Sequence, residues 1–436
     1  MFAGVNSSQP VQNTTHKVVI PFYAYAAVSL FAACFLMLIS AGSFTGHYFN
    51  PHVLAITHIM ALGWGTMIIL GAGYQLIPVL IEKSLYSIKL AYWSFFLAAA
   101  GIPFLAYGFY YFDMGWPAKW GGRLILIAVL LFVINLAKSI QKSKKGNVHA
   151  WFMLAASGWL FITAFYGLVL VYNFTFPIYE RNPVDLIPLH AHTGIVGWFL
   201  LLVIGVGSKL IPMFMISKYT NNKLLWLIFL LINTALLLFI LLYIFNVGSA
   251  IFLLPVSMIL ISLMLFASYC YKSYKQRIRK QVDGQMKISL LSVLMMLVPV
   301  AVIFLLIGFF VSGKENLRVV LLYGFVIFFG WITAIIFGMT FKTLPFIIWN
   351  KVYGKIAGLG KTPNPKELYS EKLFKVMSLS YLSGFVTFIA GILTIERVVL
   401  TIGASLLLTA AFLYCVNAGK VLLHQNPFQN DERNNQ

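Results

Sequence analysis

Residues 192–212 read HTGIVGWFLLLVIGVGSKLIP, and this pattern occurs three times in the chain. Residues 58–78 read HIMALGWGTMIILGAGYQLIP, and residues 325–345 read FVIFFGWITAIIFGMTFKTLP. Each copy holds a Gly-Trp pair beginning at Gly63, Gly197 or Gly330. A second glycine follows eight residues after the first, at Gly71, Gly205 and Gly338. A proline follows fifteen after it, at Pro78, Pro212 and Pro345. The copies lie 134 and 133 residues apart, a period that marks an internal repeat. Small residues let membrane helices approach closely, which accounts for a single glycine but not for three matched registers.

Each copy is long and apolar enough to cross the ~30 Å hydrocarbon core of a bilayer. Twelve such runs are predicted, at 18–41, 53–81, 88–112, 118–138, 150–174, 189–216, 223–246, 249–272, 286–312, 318–349, 373–395 and 397–423. The composition agrees: 61% of the 436 residues are hydrophobic and 10% charged, where a soluble domain carries about a quarter charged. Runs this long and uniform predict helices rather than barrel strands. The expected fold is an all-α polytopic membrane protein of twelve transmembrane helices. One repeat per four helices predicts three arcs of four about a pseudo-threefold axis, unlike the two related halves of common transporters. The repeats are expected at 18–138, 150–272 and 286–423, between polar tails at 1–17 and 424–436.

A net charge of +20 raises the question of nucleic acid, and the placement of the charge answers it. Of 31 Lys and Arg, 23 lie at the N-terminus, after even-numbered runs or in the C-terminal region. Six follow odd-numbered runs, and Lys209 and Lys342 lie inside runs. This bias is the positive-inside rule, so both termini are expected in the cytoplasm, with the chain in a bacterial-type cytoplasmic (inner) membrane. Clusters 142–145 and 272–280 are topology signals first and anionic-lipid contacts second; nucleic acid is not an expected partner. The polar first 16 residues lack the basic start of a signal peptide, so the first run is expected to direct insertion. Cys34, Cys270 and Cys415 fall inside runs without C-x-x-C spacing, which argues against disulfides and structural zinc.

Topology sorts the eight histidines. His16, His149 and His424 fall on the cytoplasmic side; His47, His52, His58, His190 and His192 fall near the outer face. His58 and His192 share one repeat register, where the third copy has Phe325. His190 and His192 are two apart and point about 200° from each other on a helix, so they look into different clefts. A lone histidine at a helix end more often only hydrogen-bonds at the interface. The matched pair together with the H-x-H shifts the reading to ligands, since intramembrane ionisable groups are usually functional and imidazoles across a bundle hold heme iron or copper.

The stretch HAHTGIVGW followed by GVGSKLIP resembles the tenth helix of the catalytic subunit of C-type heme–copper oxidases, whose pattern is H-x-H-x-G-x-x-G-W. The resemblance implies twelve helices in three arcs, cytoplasmic termini and heme ligands towards the outer face. It covers most of the chain as architecture and the three repeat runs as motif. Here, however, the H-x-H lies in the sixth run, the tenth has no histidine, and the seventh lacks the adjacent pair that binds copper. Five outer histidines are one short of the six that the oxidase needs, and no Asp or Glu is expected inside a helix to relay protons.

The closer resemblance is to a divergent branch of that superfamily such as the NnrS nitric-oxide-response membrane proteins. It implies a heme-binding protein handling electrons or a diatomic gas (nitric oxide or oxygen), not a proton-pumping terminal oxidase. His58 and His192 are the expected heme b ligands, on one heme or on two, with His190 facing a second site. His190, His47 and His52 are the copper candidates; the last two are placed in the loop GHYFNPH, so copper is expected to be peripheral. An electron donor would be a separate protein or a quinol. The alternatives are an atypical cytochrome oxidase or nitric oxide reductase subunit, and a cofactor-free transporter or assembly factor.

Two signals are set aside. GKIAGLGKT mimics a phosphate loop, but Gly354 stands six before Gly360 where five are required, and no strand precedes it. Lys209 and Lys342 are expected to snorkel to the cytoplasmic interface, and Gln75 in the same register of the second run leaves proton entry as the alternative.

Overall fold

A computed structural model describes residues 16–142, 147–278, 281–314, 316–354, 356 and 362–426. Most of the two tails, most of the 142–145 cluster, residues 279–280 and most of the GKIAGLGKT loop lie outside the described residues. Among the described residues there is no strand, and twelve helices are long and apolar enough to cross a membrane. They are α1 (His16–Ile39), α2 (Pro51–Ile81), α3 (Ile88–Tyr110), α4 (Trp116–Ile140), α5 (Val148–Asn173) and α6 (Pro183–Met215). The second six are α7 (Asn222–Ile244), α8 (Ser249–Lys275), α9 (Gly284–Val311), α10 (Leu317–Tyr353), α11 (Glu371–Thr394) and α12 (Arg397–Leu422).

The three repeat helices form the interior. Of the most apolar stretch of α2, α6 and α10, 67%, 72% and 83% is buried, against half or less in each of the other nine. The repeat glycines explain how α2, α6 and α10 pack so closely. A Cβ on Gly71 would lie 2.6 Å from Phe22 Cβ of α1, and one on Gly205 2.3 Å from Phe152 Cβ of α5. One on Gly338 would lie 2.2 Å from Ser289 Oγ and 2.6 Å from the Gln285 carbonyl of α9. In each repeat the second helix therefore lies backbone-close on the first.

Each interior helix also carries one π-helical segment in the same register: Ile59–Thr66, Thr193–Leu200 and Val326–Ile332. A π turn inserts one residue and leaves carbonyls without their usual helical donors, a feature common at functional sites. In α10, where Gly330 departs from helical geometry (φ −91°, ψ −110°), neighbouring side chains supply donors. The Tyr381 hydroxyl lies 2.8 Å from both the Phe329 and Gly330 carbonyls, and Ser292 Oγ donates to the Trp331 carbonyl at 2.8 Å.

The π segments meet one another through the repeat tryptophans. Trp64 Nε1 donates to Thr333 Oγ1 at 3.1 Å, joining α2 to α10, and Trp198 Nε1 donates to Thr66 Oγ1 at 3.0 Å, joining α6 to α2. The position in α6 that matches Thr66 and Thr333 is Leu200, which has no hydroxyl. Proline opens the helices further along. Pro212 cannot donate to the carbonyl of Ser208, and Tyr269 of α8 does so instead at 3.1 Å.

Four local expectations need correction. The Asn-Pro step of GHYFNPH starts a helix rather than a loop: Asn50 Oδ1 accepts from the His52 amide at 2.9 Å, and Pro51 opens α2. His52 therefore sits in the first turn of α2. Helix α6 begins at Pro183, not at 189, because Asn182 caps a short 3₁₀ turn that leads into it. The H-x-H is thus inside the helix, and Asp185 and Glu371 occupy first turns of α6 and α11.

Lastly, Lys342 does not simply snorkel. It is ion-paired to Asp283, which precedes α9, and Lys366 Nζ reaches the same carboxylate at 2.8 Å. Burial alone would raise the Asp283 carboxyl pKa, but hydrogen bonds and charge from Lys342 and Lys366 outweigh it and hold the group below its usual range. A depressed carboxylate stabilises the fold fully above the ordinary value near pH 4, and less as pH falls through its own lower value. Asp283→Asn is expected to lower the melting temperature at pH 7, because it leaves Lys342 and Lys366 facing each other without the carboxylate between them. Thermal unfolding in detergent should show that difference shrinking towards pH 3.

Candidate functional site

The residue that immediately precedes the π segment is His58 in α2 and His192 in α6. Both rings are tied to their own helix by one hydrogen bond of the same kind. His58 Nδ1 lies 2.8 Å from the Leu54 carbonyl, and His192 Nδ1 lies 2.8 Å from the Pro188 carbonyl. A carbonyl only accepts, so Nδ1 carries the proton in both, and Nε2 of each neutral ring keeps its lone pair. An anchored Nδ1–H with a free Nε2 is how metal-binding histidines are oriented.

The surroundings of the two rings differ. The His58 ring faces His190, with centroids 6.2 Å apart and planes within 16°. Phe109 of α3 packs on the other side of His58, its centroid 4.5 Å away. His190 lies against Gly167 of α5, where a Cβ would come within 2.6 Å of His190 Cε1, so only glycine admits the ring there. Its Nδ1 is buried without a hydrogen bond of normal geometry, the Thr163 backbone being the nearby polar group. The Thr163 hydroxyl donates to Thr193 Oγ1 at 3.0 Å, which donates to the His190 carbonyl at 2.9 Å and holds that turn.

His192 faces α10. The Tyr323 hydroxyl lies 3.1 Å from His192 Nε2, and with Nδ1 engaged as a donor it is the tyrosine that donates. Phe239 of α7 closes that side, its ring centroid 4.9 Å from the imidazole. Tyr323 was not among the residues singled out from the sequence. One signal marks it: Tyr323 stands two residues before Phe325, as His190 stands two before His192. In both clefts the shared-register residue of one repeat meets the residue two positions earlier in the next.

The two remaining candidate histidines have partners of their own. His52 Nδ1 lies 2.9 Å from Ser43 Oγ and its ring lies 4.4 Å from that of Tyr110. His47 Nδ1 accepts from the Phe49 amide at 3.0 Å, and the ring stacks on Tyr48. Among the described residues, no three His, Cys, Asp or Glu side chains converge as a metal-binding group.

A metal held by one nitrogen of each ring, at about 2 Å per bond, would put the centroids about 6 Å apart, close to the 6.2 Å between His58 and His190. Among the described residues, His190 Nδ1 makes no hydrogen bond of normal geometry, and the hydrogen bond of the His58 ring is through Nδ1. His192 differs, because a tyrosine already occupies its lone pair. A scan of the chain against protein-family models matches none, and no curated protein is significantly similar in sequence.

Proposed function

We propose that the protein is a heme-binding, oxidase-like integral membrane protein that handles electrons or a diatomic gas such as nitric oxide or oxygen. In this reading the twelve helices form three arcs of four about a pseudo-threefold axis, on the plan of the heme–copper oxidase catalytic subunit. One observation carries the proposal: two imidazoles from adjacent repeats with centroids 6.2 Å apart and planes within 16° of parallel, one anchored through Nδ1 and the other with its Nδ1 buried without a hydrogen bond of normal geometry among the described residues. His58 and His190 would hold a b-type heme, which supplies one-electron redox chemistry and, when a ligand leaves, a site for a diatomic gas. Leu54 and Gly167 fix the two rings, and Phe109 flanks one of them. His192 is assigned instead to a Tyr323 hydrogen bond in the neighbouring cleft.

The decisive experiment is the absorption spectrum of protein purified after expression with heme supplied. A low-spin b-type spectrum with about one heme per chain is expected. Absence of a Soret band would remove the proposal and leave a transporter or assembly factor on the same scaffold. Copper is expected below one per chain and at the periphery, because His47 and His52 are engaged near the ends of their segments. One tight copper per heme with rapid oxygen consumption would restore the oxidase alternative.

The proposed orientation puts residues 272–287 and 350–372 in the cytoplasm, following the loop charge. Single cysteines at Lys275 and Lys366 are expected to resist an impermeant thiol reagent added to intact cells and to react after permeabilisation. Labelling in intact cells would invert the topology.

A further inference from the structure

Lys119 and Arg123 stand four residues apart near the start of α4, so they share one face of that helix. Both cations lean on aromatic rings. Lys119 Nζ lies 5.0 Å from the ring centroids of Tyr172, in the last turn of α5, and of Phe176 just beyond it. Arg123 Cζ lies 4.8 Å from the Trp120 centroid and 5.5 Å from that of Tyr172. Its guanidinium also donates to the Tyr172 hydroxyl. Neither cation has a carboxylate within ion-pair distance among the described residues. Asp113, the acidic residue nearest in the sequence, accepts instead from the Gly115 amide at 2.8 Å.

Aromatic faces hold a cation in place and leave its N–H groups unused. A lysine and an arginine together carry many more donors than the one that meets the Tyr172 hydroxyl. Arg123 stands about 10 Å along α4 from its first residue, a costly depth for a cation in a bilayer without an anionic partner. Snorkelling alone would carry both heads to water, whereas here they are held against the seam between α4 and α5. Trp116, Trp120 and Phe176 beside them are 62%, 43% and 62% exposed, an aromatic rim of the kind that sits at headgroup level. We propose that Lys119 and Arg123 bind the phosphate of an anionic phospholipid, with its acyl chains lying along the seam between α4 and α5. A water-soluble anion would gain nothing from the exposed aromatic rim. A zwitterionic headgroup would bring an ammonium beside two cations. This site is separate from the paired histidines and does not depend on heme.

The test uses full-length protein in phosphatidylcholine nanodiscs containing a trace of phosphatidylglycerol with a photoreactive group beside its phosphate. Cross-linked peptides are then mapped by mass spectrometry. Labelling within residues 116–123 and 172–176 is expected. Unlabelled phosphatidylglycerol should compete for it about tenfold better than phosphatidylethanolamine. Lys119→Gln combined with Arg123→Gln should reduce the labelling about tenfold, whereas Lys119→Arg combined with Arg123→Lys should retain it. Lys272→Gln combined with Lys275→Gln, in the last turn of α8, removes the same charge and should leave labelling at α4 and α5 unchanged. In the unmodified protein, equal competition by phosphatidylethanolamine would overturn the proposal, and so would equal displacement by inorganic phosphate. Unchanged labelling in the double glutamine variant of Lys119 and Arg123 would overturn it as well.

Discussion

Replacing either His58 or His190 by alanine is expected to remove the low-spin heme spectrum, whereas His192→Ala should leave it in place. The asymmetry comes from hydrogen bonding. His58 and His190 face each other at 6.2 Å, while the Nε2 lone pair of His192 already accepts from Tyr323. An iron held by two imidazoles becomes high-spin or is lost when one is deleted, so heme retained after purification should fall by about tenfold or more. Gly167→Val should give a similar loss without touching a ligand, because a side chain there would occupy the place of the His190 ring. Heme content and the reduced-minus-oxidised spectrum of the four variants settle the matter. Loss in His192→Ala together with a normal spectrum in His190→Ala would return the second ligand to the shared register.

The second large effect is structural. Gly338→Val is expected to abolish folded protein, because its Cβ would stand 2.6 Å from the Gln285 carbonyl and 2.9 Å from the Ser289 amide of α9. Those atoms are backbone, so the clash cannot be relieved by a rotamer and α9 and α10 would have to separate. Overpacking of a well-fitted core typically costs about 1–3 kcal/mol, and a backbone clash between the most buried helix and its neighbour exceeds that range. Gly73→Ala is the matched control, since its Cβ would meet Phe132 at an ordinary 3.6 Å. Monodisperse yield from detergent extracts should drop to background for Gly338→Val and remain near normal for Gly73→Ala. Normal yield and melting temperature for Gly338→Val would mean that the contact between α9 and α10 is not required for the fold.

The twelve crossings could be read from the chain because they rest on local properties: apolar length, and the cost of leaving backbone groups unsatisfied in a bilayer. The register of the repeat was legible for the same reason, since Gly-Trp, the second glycine and the proline recur at fixed spacing. The structure places π turns, backbone-close glycine contacts and the deepest burial at those positions. A residue type with two uses is ambiguous in the sequence. Asn50-Pro51 reads as a turn, yet the same pair caps and opens a helix when the following residues are apolar.

Which imidazole meets which was beyond the sequence. Shared register aligns His58 with His192, but helices arranged around an axis touch through side chains that depend on how each is rotated and tilted. With adjacent repeats offset by two residues at the contact, His58 meets His190 and His192 meets Tyr323. The same offset put Tyr323, unremarkable in the sequence, beside a histidine 131 residues earlier in the chain. Composition and periodicity determined how many helices there are and which three are alike. Only the packing of those helices decided which side chains form a pair, because residues distant in the chain come within bonding distance only once helix rotation and tilt are set.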